Sequence, residues 1–137
     1  MNLDLTGKTA LVCGSTQGIG LATATEIASM GATVTLLARN EDKLKEALKV
    51  LPTDNNQNHT YLVADFNYPD DLKEVIDGFI GAGNQFNILV NNTGGPAGGL
   101  AIDANIDEFR IAFNQHLVCN PTSNSSHVVT CFEQLDF

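Results

Sequence analysis

The sequence predicts an α/β fold in which a doubly wound parallel β-sheet carries helices on both faces. Two observations support this prediction. Short apolar runs alternate with segments of helical periodicity, and a glycine-rich run follows the first apolar run. Alternation of this kind is typical of parallel sheets, because a right-handed helical crossover joins each strand to the next. We expect the order βαβαβαβα, which is a sheet truncated after about four strand–helix units of roughly 30 residues each.

Four short apolar runs are the predicted strands. They lack the alternation of polar and apolar residues that marks a half-exposed strand, so we expect both faces of each strand to be buried. The runs are residues 10–13, 34–38, 61–64 and 88–90.

The predicted helices lie between and after these strands. Apolar residues recur with i, i+3, i+4 and i+7 spacing in residues 44–51 and 72–80, as they do on the buried face of a helix. A further helix is expected over residues 19–30, closed by Gly31 as its C-cap, and another over about residues 106–119.

The last part of the chain departs from this pattern. Pro121 ends the last predicted helix, because its ring clashes with the preceding turn. The residues that follow are polar and rich in turn-forming types. We therefore expect residues 1–120 to form one incomplete domain and residues 121–137 to form a divergent, loosely structured tail.

Composition excludes several classes of protein. The 137 residues carry a net charge of -9 with only 7 Lys and Arg, which disfavours binding to nucleic acid or to anionic lipid. No apolar run approaches the ~18 residues of a membrane span, and the first residues do not resemble a signal peptide. Three cysteines, an odd number, favour a reducing compartment. We expect a cytoplasmic protein with no membrane or nucleic-acid partner.

The glycine-rich run CGSTQGIGLA begins at Cys13, directly after the first predicted strand. At the start of the following helix, free backbone N–H groups and the helix dipole attract a pyrophosphate. The spacing of Gly14, Gly18 and Gly20 matches neither the G-x-G-x-x-G fingerprint nor a P-loop. The position of the run still favours a phosphate cradle over a simple turn.

Four short motifs follow the four predicted strands in order: GSTQGIG from Gly14, ARN from Ala38, Asp65, and NNTG from Asn91. In order and spacing they resemble the short-chain dehydrogenase/reductase family over residues 5–117, and in particular its 3-oxoacyl-reductase-like members. The resemblance implies that residues 1–120 form an incomplete dinucleotide-binding domain with a Rossmann-like fold. It also implies hydride transfer between a nicotinamide cofactor and a carbonyl or alcohol. It also implies that full-length members are homo-oligomers.

The resemblance also implies a set of cofactor contacts. These are a pyrophosphate loop (Gly14, Gly18, Ile19 and Gly20), residues near the adenosine ribose (Ser15 and Thr16), an adenine contact (Asp65) and a support for the cofactor at the fourth strand (Asn91 and Gly94). Thr93 stands where the family usually has alanine. A plainer role for Asp65, compatible with cofactor contact, is that of a turn or capping acid.

The end of the second strand predicts the choice of cofactor. Proteins that bind NAD place an acid there to hold the ribose hydroxyls, and that acid repels the additional phosphate of NADP. This chain has Arg39 instead, whose guanidinium can hold a phosphate through paired hydrogen bonds. We expect NADP(H) to be preferred over NAD(H). The alternative is that Arg39 is only a solvated surface charge.

The residues that would complete a reductase are missing from these 137 positions. The family uses a tyrosine followed four residues later by a lysine, but four residues after Tyr61 and Tyr68 stand Asp65 and Leu72. His116 occupies the family's helical asparagine position. We therefore predict no catalytic residues here, and we expect a truncated NADP(H)-dependent oxidoreductase that is inactive by itself.

Two alternatives remain. The first is a non-catalytic NADP(H)-binding module. The second is a zinc site, because zinc accepts ligands of these types at H-x2-C and H-x3-C spacing. We favour no metal, since chance accounts for the four residues concerned, which are His116, Cys119, His127 and Cys131.

Overall fold

A computed structural model of the chain describes residues 3–94 and 105–113. Within them, strands and helices alternate as predicted. The elements are β1 (Thr9–Cys13), α1 (Gly18–Ser29), β2 (Thr33–Ala38), α2 (Glu41–Lys49), β3 (Thr60–Val63), α3 (Pro69–Gly81), β4 (Ile88–Val90) and α4 (Ile106–Phe113).

The strands form one parallel sheet in the order β3-β2-β1-β4. Ala10 on β1 lies opposite Val34 on β2 and Ile88 on β4, so β1 is central. The chain winds outward from β1 to β3 on one side and then returns to place β4 on the other. Ligands of doubly wound sheets bind where the winding changes direction, at the carboxyl ends of the strands. In this chain that point lies between β1 and β4.

The core lies on both faces of the sheet, because side chains of a strand alternate between faces. Ala10 and Val12 of β1 pack on the face covered by α1 and α2. Leu11 and Cys13 pack on the opposite face, which α3 covers. The predicted α/β fold with helices on both faces is therefore confirmed.

Burial differs between the inner and outer strands. β1 and β2 are buried almost throughout, as the absence of polar alternation predicted. The same prediction was wrong for β3 and β4, whose residues are half-buried or, at Val63, exposed. Within the described residues these two strands are the edges of the sheet, and an edge strand has fewer neighbours to exclude water.

The helix ends follow from local sequence. Gly31, with a φ of +100°, comes directly after the C-cap of α1 at Met30, close to the predicted end. α3 begins at Pro69, which suits a first turn because its missing N–H has no helical partner there. The predicted extension of α4 to residue 119 and the predicted tail, residues 121–137, lie outside the described residues. None of the described helices is long and apolar enough to cross a membrane.

Candidate functional site

The loop after β1 is held against the loop after β4. Gly14 has a φ of +58°, and a Cβ placed there would lie 2.5 Å from the carbonyl oxygen of Asn92. The side chain of Asn92 also fixes this contact, because its Nδ2 donates to the carbonyl oxygens of Cys13 and Gly14 at 3.3 and 3.2 Å. Glycine therefore fits at position 14 where a side chain would not, and Asn92 ties the two loops together.

The N-terminus of α1 is left open by its own side chains. The first N–H groups of a helix have no partner within it. At α1 the N-cap residue, Gln17, forms no side-chain cap hydrogen bond, and the first turn contains no acid. By contrast, Asn40 caps α2 by accepting from the Lys43 N–H at 2.9 Å, and Glu41 and Asp42 follow it. Of these two helix N-termini, that of α1 is therefore better suited to bind an anion from outside the protein.

The start of α1 also lies very close to the loop after β1. A Cβ at Gly20 would lie 2.3 Å from the carbonyl oxygen of Gly14, whereas Gly18 has a φ of +57° with open space around it. A side chain at position 20 would push the helix away from the loop. The glycines thus let the loop after β1 and the first turn of α1 form a cradle of backbone atoms, and a helix N-terminus is a kind of site that binds anions.

A cavity of about 350 Å³ opens beside this cradle. Its lining comes from the loops that follow all four strands, as expected for a site at the carboxyl edge of a parallel sheet. The lining residues are Gly14, Thr16, Gln17, Ala38, Arg39, Asn40, Lys43, Ala64, Asp65, Phe66, Asn92, Thr93 and Gly94.

The predicted cofactor residues divide into two groups in the structure. Those that line the cavity are Gly14, Thr16, Arg39, Asp65 and Gly94. Those outside its lining are Ser15, Gly18, Ile19, Gly20 and Asn91. Of the second group, residues 18–20 form the first turn of α1 beside the cavity. The structure thus brings the glycine-rich loop and the ends of β2, β3 and β4 to a single cavity.

Ser15, which the resemblance implies lies near the adenosine ribose, is outside the cavity lining. Its side chain is fully buried, and its Oγ accepts a hydrogen bond from the backbone N–H of Leu37 at 3.1 Å. The hydroxyl therefore points into the sheet and joins the loop after β1 to β2. Thr16, the next residue, is the one that reaches the cavity.

Asp65 forms the turn that was the plainer of the two roles considered for it, and its contact with adenine stays a prediction. Its Oδ1 accepts from the backbone N–H and the side-chain Nδ2 of Asn67, each at 2.9 Å, and its carbonyl oxygen accepts from the Tyr68 N–H at 3.0 Å. This is a turn that leads into α3. Asp65 is also part of the cavity lining, and the turn holds its carboxylate in one position.

Several lining residues were not predicted from the sequence. Among them are Gln17, Asn40, Lys43 and Asn92. A signal was available for Lys43, because a cation in the first turn of a helix opposes the helix dipole and needs another reason to be there. For Asn92 the signal was its place beside Asn91 in the NNTG motif.

A second, wider depression of about 900 Å³ lies between α1 and α2. It shares Thr16, Gln17 and Lys43 with the cavity and extends along α2 as far as Lys49 and Val50. It lies farther from β4 and includes none of the residues that follow β3 or β4. The smaller cavity is therefore the better candidate for a site that needs the ends of all four strands.

Two titratable side chains near the site are not suited to catalysis. Burial raises the pKa of Cys13 to about 12, so its thiol stays protonated and is a poor nucleophile. The Oη of Tyr61 donates to Glu41 Oε1 at 2.9 Å, and this hydrogen bond raises the pKa of Tyr61. The Tyr61 phenol is therefore bound to Glu41 of α2, and Tyr61 is absent from the cavity lining.

Sequence comparison with known proteins identifies the family of this chain. The family model described as short chain dehydrogenase matches residues 8–135. Glucose 1-dehydrogenase from Gluconobacter oxydans is 36% identical over 103 residues, which are 75% of this chain and 39% of that protein. The very-long-chain 3-oxoacyl-CoA reductase-B of Danio rerio is 35% identical over 94 residues, 69% of this chain and 30% of that protein.

The fold of this chain is also similar to that of solved structures of oxidoreductases. L-sorbose reductase from Gluconobacter frateurii, determined with NADPH and L-sorbose, superimposes with a TM-score of 0.83 at 26% identity. The superposition covers 96% of this chain and 49% of that one, so the chain spans about half the length of this relative. Since the family model matches residues 8–135 of the 137, the protein belongs to the short-chain dehydrogenase family.

Proposed function

We propose that this chain is the cofactor-binding part of an NADP(H)-dependent short-chain oxidoreductase. When bound, the nicotinamide would supply hydride exchange with a carbonyl or alcohol. The observation that carries the proposal is the start of α1, where an uncapped, acid-free first turn meets the glycine-rich loop. Its free N–H groups would hold the pyrophosphate, and Asp65 at the end of β3 would face the adenine.

The end of β2 supports NADP(H) over NAD(H). Arg39 follows the strand directly, is exposed, and lines the cavity. It forms no ion pair with any of the described residues. A guanidinium in this state can bind a phosphate on the 2′ position of the ribose without first breaking another contact. The NADPH in the L-sorbose reductase complex is consistent with this choice.

These 137 residues contain no Tyr-x-x-x-Lys, the pair that would protonate the substrate oxygen in a member of this family. Tyr61 is engaged by Glu41, so it does not substitute for that group. We therefore propose that this chain alone binds the cofactor without turning it over. NADPH oxidation assays with a panel of carbonyl compounds test this, and measurable turnover by the purified chain would contradict it.

Calorimetry with NADPH and NADH tests the choice of cofactor. We expect NADPH to bind more tightly, and Arg39→Ala to weaken NADPH binding about tenfold through loss of a charge-assisted contact. Arg110→Ala is the matched control, because Arg110 lies on α4, is paired with Asp107, and is not in the cavity lining. Equal affinities for NADH and NADPH, or equal losses in both variants, would contradict the proposed role of Arg39.

A further inference from the structure

Lys43 is a second cation at the cavity. It occupies the first turn of α2, where its backbone N–H is held by the Oδ1 of Asn40 at 2.9 Å. Lys43, Asn40 and Arg39 all line the cavity at the end of β2. The capping bond fixes the backbone from which the Lys43 side chain extends, and the cavity is lined by two cationic residues at the end of β2.

The position of Lys43 is unfavourable for the helix alone. A cation near a helix N-terminus opposes the macrodipole. Within the described residues Lys43 has no ion pair, whereas Lys45, Lys49 and Lys73 each pair with a carboxylate of their own helix. Lys43 opposes the helix dipole and has no ion pair in the described part of the chain to offset that cost. A residue of this kind is expected at a functional site, where binding a ligand accounts for its charge.

Glu41, in the same turn of α2 as Lys43, is engaged by other partners. Glu41 Oε1 accepts from Tyr61 Oη and binds Lys45 Nζ, each at 2.9 Å. These contacts, with Lys45 the stronger influence, lower the pKa of Glu41, so it is ionised at neutral pH and satisfied by its partners. Glu41 is absent from the cavity lining. Arg39 and Lys43 therefore both line the cavity, whereas the Glu41 carboxylate is bound by Tyr61 and Lys45.

We propose that Lys43 is a second phosphate-binding residue that acts with Arg39 to select a dinucleotide carrying a 2′-phosphate. This inference rests on the proposed function. Arg39 would contribute a planar pair of donors and Lys43 a compact ammonium, a combination that suits a dianionic phosphate. Asn40 is a positioning residue, because its cap fixes the start of α2 from which Lys43 extends.

Binding of NADPH and NADH to three variants tests the proposal. Lys43→Met removes the charge and keeps most of the side-chain length, and Lys43→Arg restores a cation. Lys49→Met is the matched control, because it removes the same charge from the last turn of α2, outside this cavity. We expect Lys43→Met to weaken NADPH binding about fivefold, as for an exposed ion pair, and to leave NADH binding unchanged.

Several outcomes would overturn the inference. These are unchanged NADPH affinity in Lys43→Met, equal losses for NADPH and NADH, an equal loss in Lys49→Met, or no recovery in Lys43→Arg. If the unmodified chain prefers NADPH and Lys43→Met prefers it to the same extent, only the role of Lys43 fails. If the unmodified chain binds neither dinucleotide, the proposed function fails, and this inference with it.

Discussion

The Oγ of Ser15 lies 3.1 Å from the backbone nitrogen of Leu37 and accepts its hydrogen bond. Both side chains are fully buried. The bond joins the glycine-rich loop after β1 to β2, two residues before Arg39. The two regions proposed to hold the pyrophosphate and the 2′-phosphate are therefore connected through the interior of the sheet.

Ser15→Ala should destabilise the protein modestly. It removes one buried hydrogen bond, and a bond of this kind contributes about 1 kcal/mol net. The measurement is the free energy of unfolding from urea denaturation. Ser29→Ala is the control, because Ser29 is exposed and its hydroxyl donates only to the Glu26 carbonyl one turn back on α1. Equal stability of the two variants would show that the Ser15 bond contributes nothing.

Gly20→Ala should lower both stability and NADPH affinity. The new Cβ would lie 2.3 Å from the backbone oxygen of Gly14, and neither backbone segment can move without displacing the cradle. We expect a loss of roughly 1–3 kcal/mol, the usual cost of an overpacked site. Gly78→Ala is the matched control on α3, where an added Cβ meets nothing within 4 Å. That variant should be stabilised by about 0.5–1 kcal/mol. A Gly20→Ala protein with unchanged stability and NADPH affinity would rule out the tight contact.

Cys13 should resist alkylation in the folded protein. Its pKa is about 12 in the folded state against an ordinary value of 9.0, because burial disfavours the thiolate. Since the folded state retains the proton more strongly, this group's contribution to stability is complete below pH 9.0 and declines as the pH rises toward about 12.

Mass spectrometry after iodoacetamide treatment at pH 8 measures this directly. The peptide containing Cys13 should remain unmodified in buffer and become modified in urea. Rapid modification of Cys13 under native conditions would contradict its burial.

His59→Ala should destabilise the N-terminal end of β2. The Nδ1 of His59 accepts from the buried Val34 N–H at 2.9 Å, and its Nε2 lies 2.7 Å from the Pro52 carbonyl oxygen. Pairing between β2 and β3 begins only at Thr35. The imidazole of His59 therefore takes the place of a β3 partner for the Val34 N–H. Loss of a partner for a buried N–H costs about 1–3 kcal/mol.

Amide hydrogen exchange and urea denaturation test the role of His59. We expect faster exchange at Val34 in His59→Ala, together with lower stability. The exposed neighbour Asn58 supplies the control variant, Asn58→Ala, which should change neither quantity. Unaltered protection of the Val34 amide in His59→Ala would show that another group satisfies it.

The sequence predicted the sheet well because its signals are local. The start of β1 was placed within one residue, and β4 was placed correctly at residues 88–90. The exposure of β3 and β4 was not predictable in this way. An apolar run indicates that a strand is suited to burial. Whether the strand is in fact buried depends on which strands and helices lie beside it in the fold.

The site was predictable only in part, for a similar reason. The motif places Ser15 in the loop after β1 but does not show which way its hydroxyl points. Lys43 lies outside every motif, and it reaches the cavity only because α2 begins at the edge of the sheet beside the glycine-rich loop. The place of Lys43 in the site therefore depends on how loops that are far apart in sequence come together.

The central claim is that the first turn of α1 holds the pyrophosphate of a dinucleotide. A ¹⁵N-resolved NMR titration with NADP⁺ tests this most directly. The account predicts that the amide resonances of Gly18, Ile19 and Gly20 shift most, while those in the middle of α3 stay unchanged. Saturable binding with shifts confined to other parts of the chain, or no shift at the start of α1, would contradict the account.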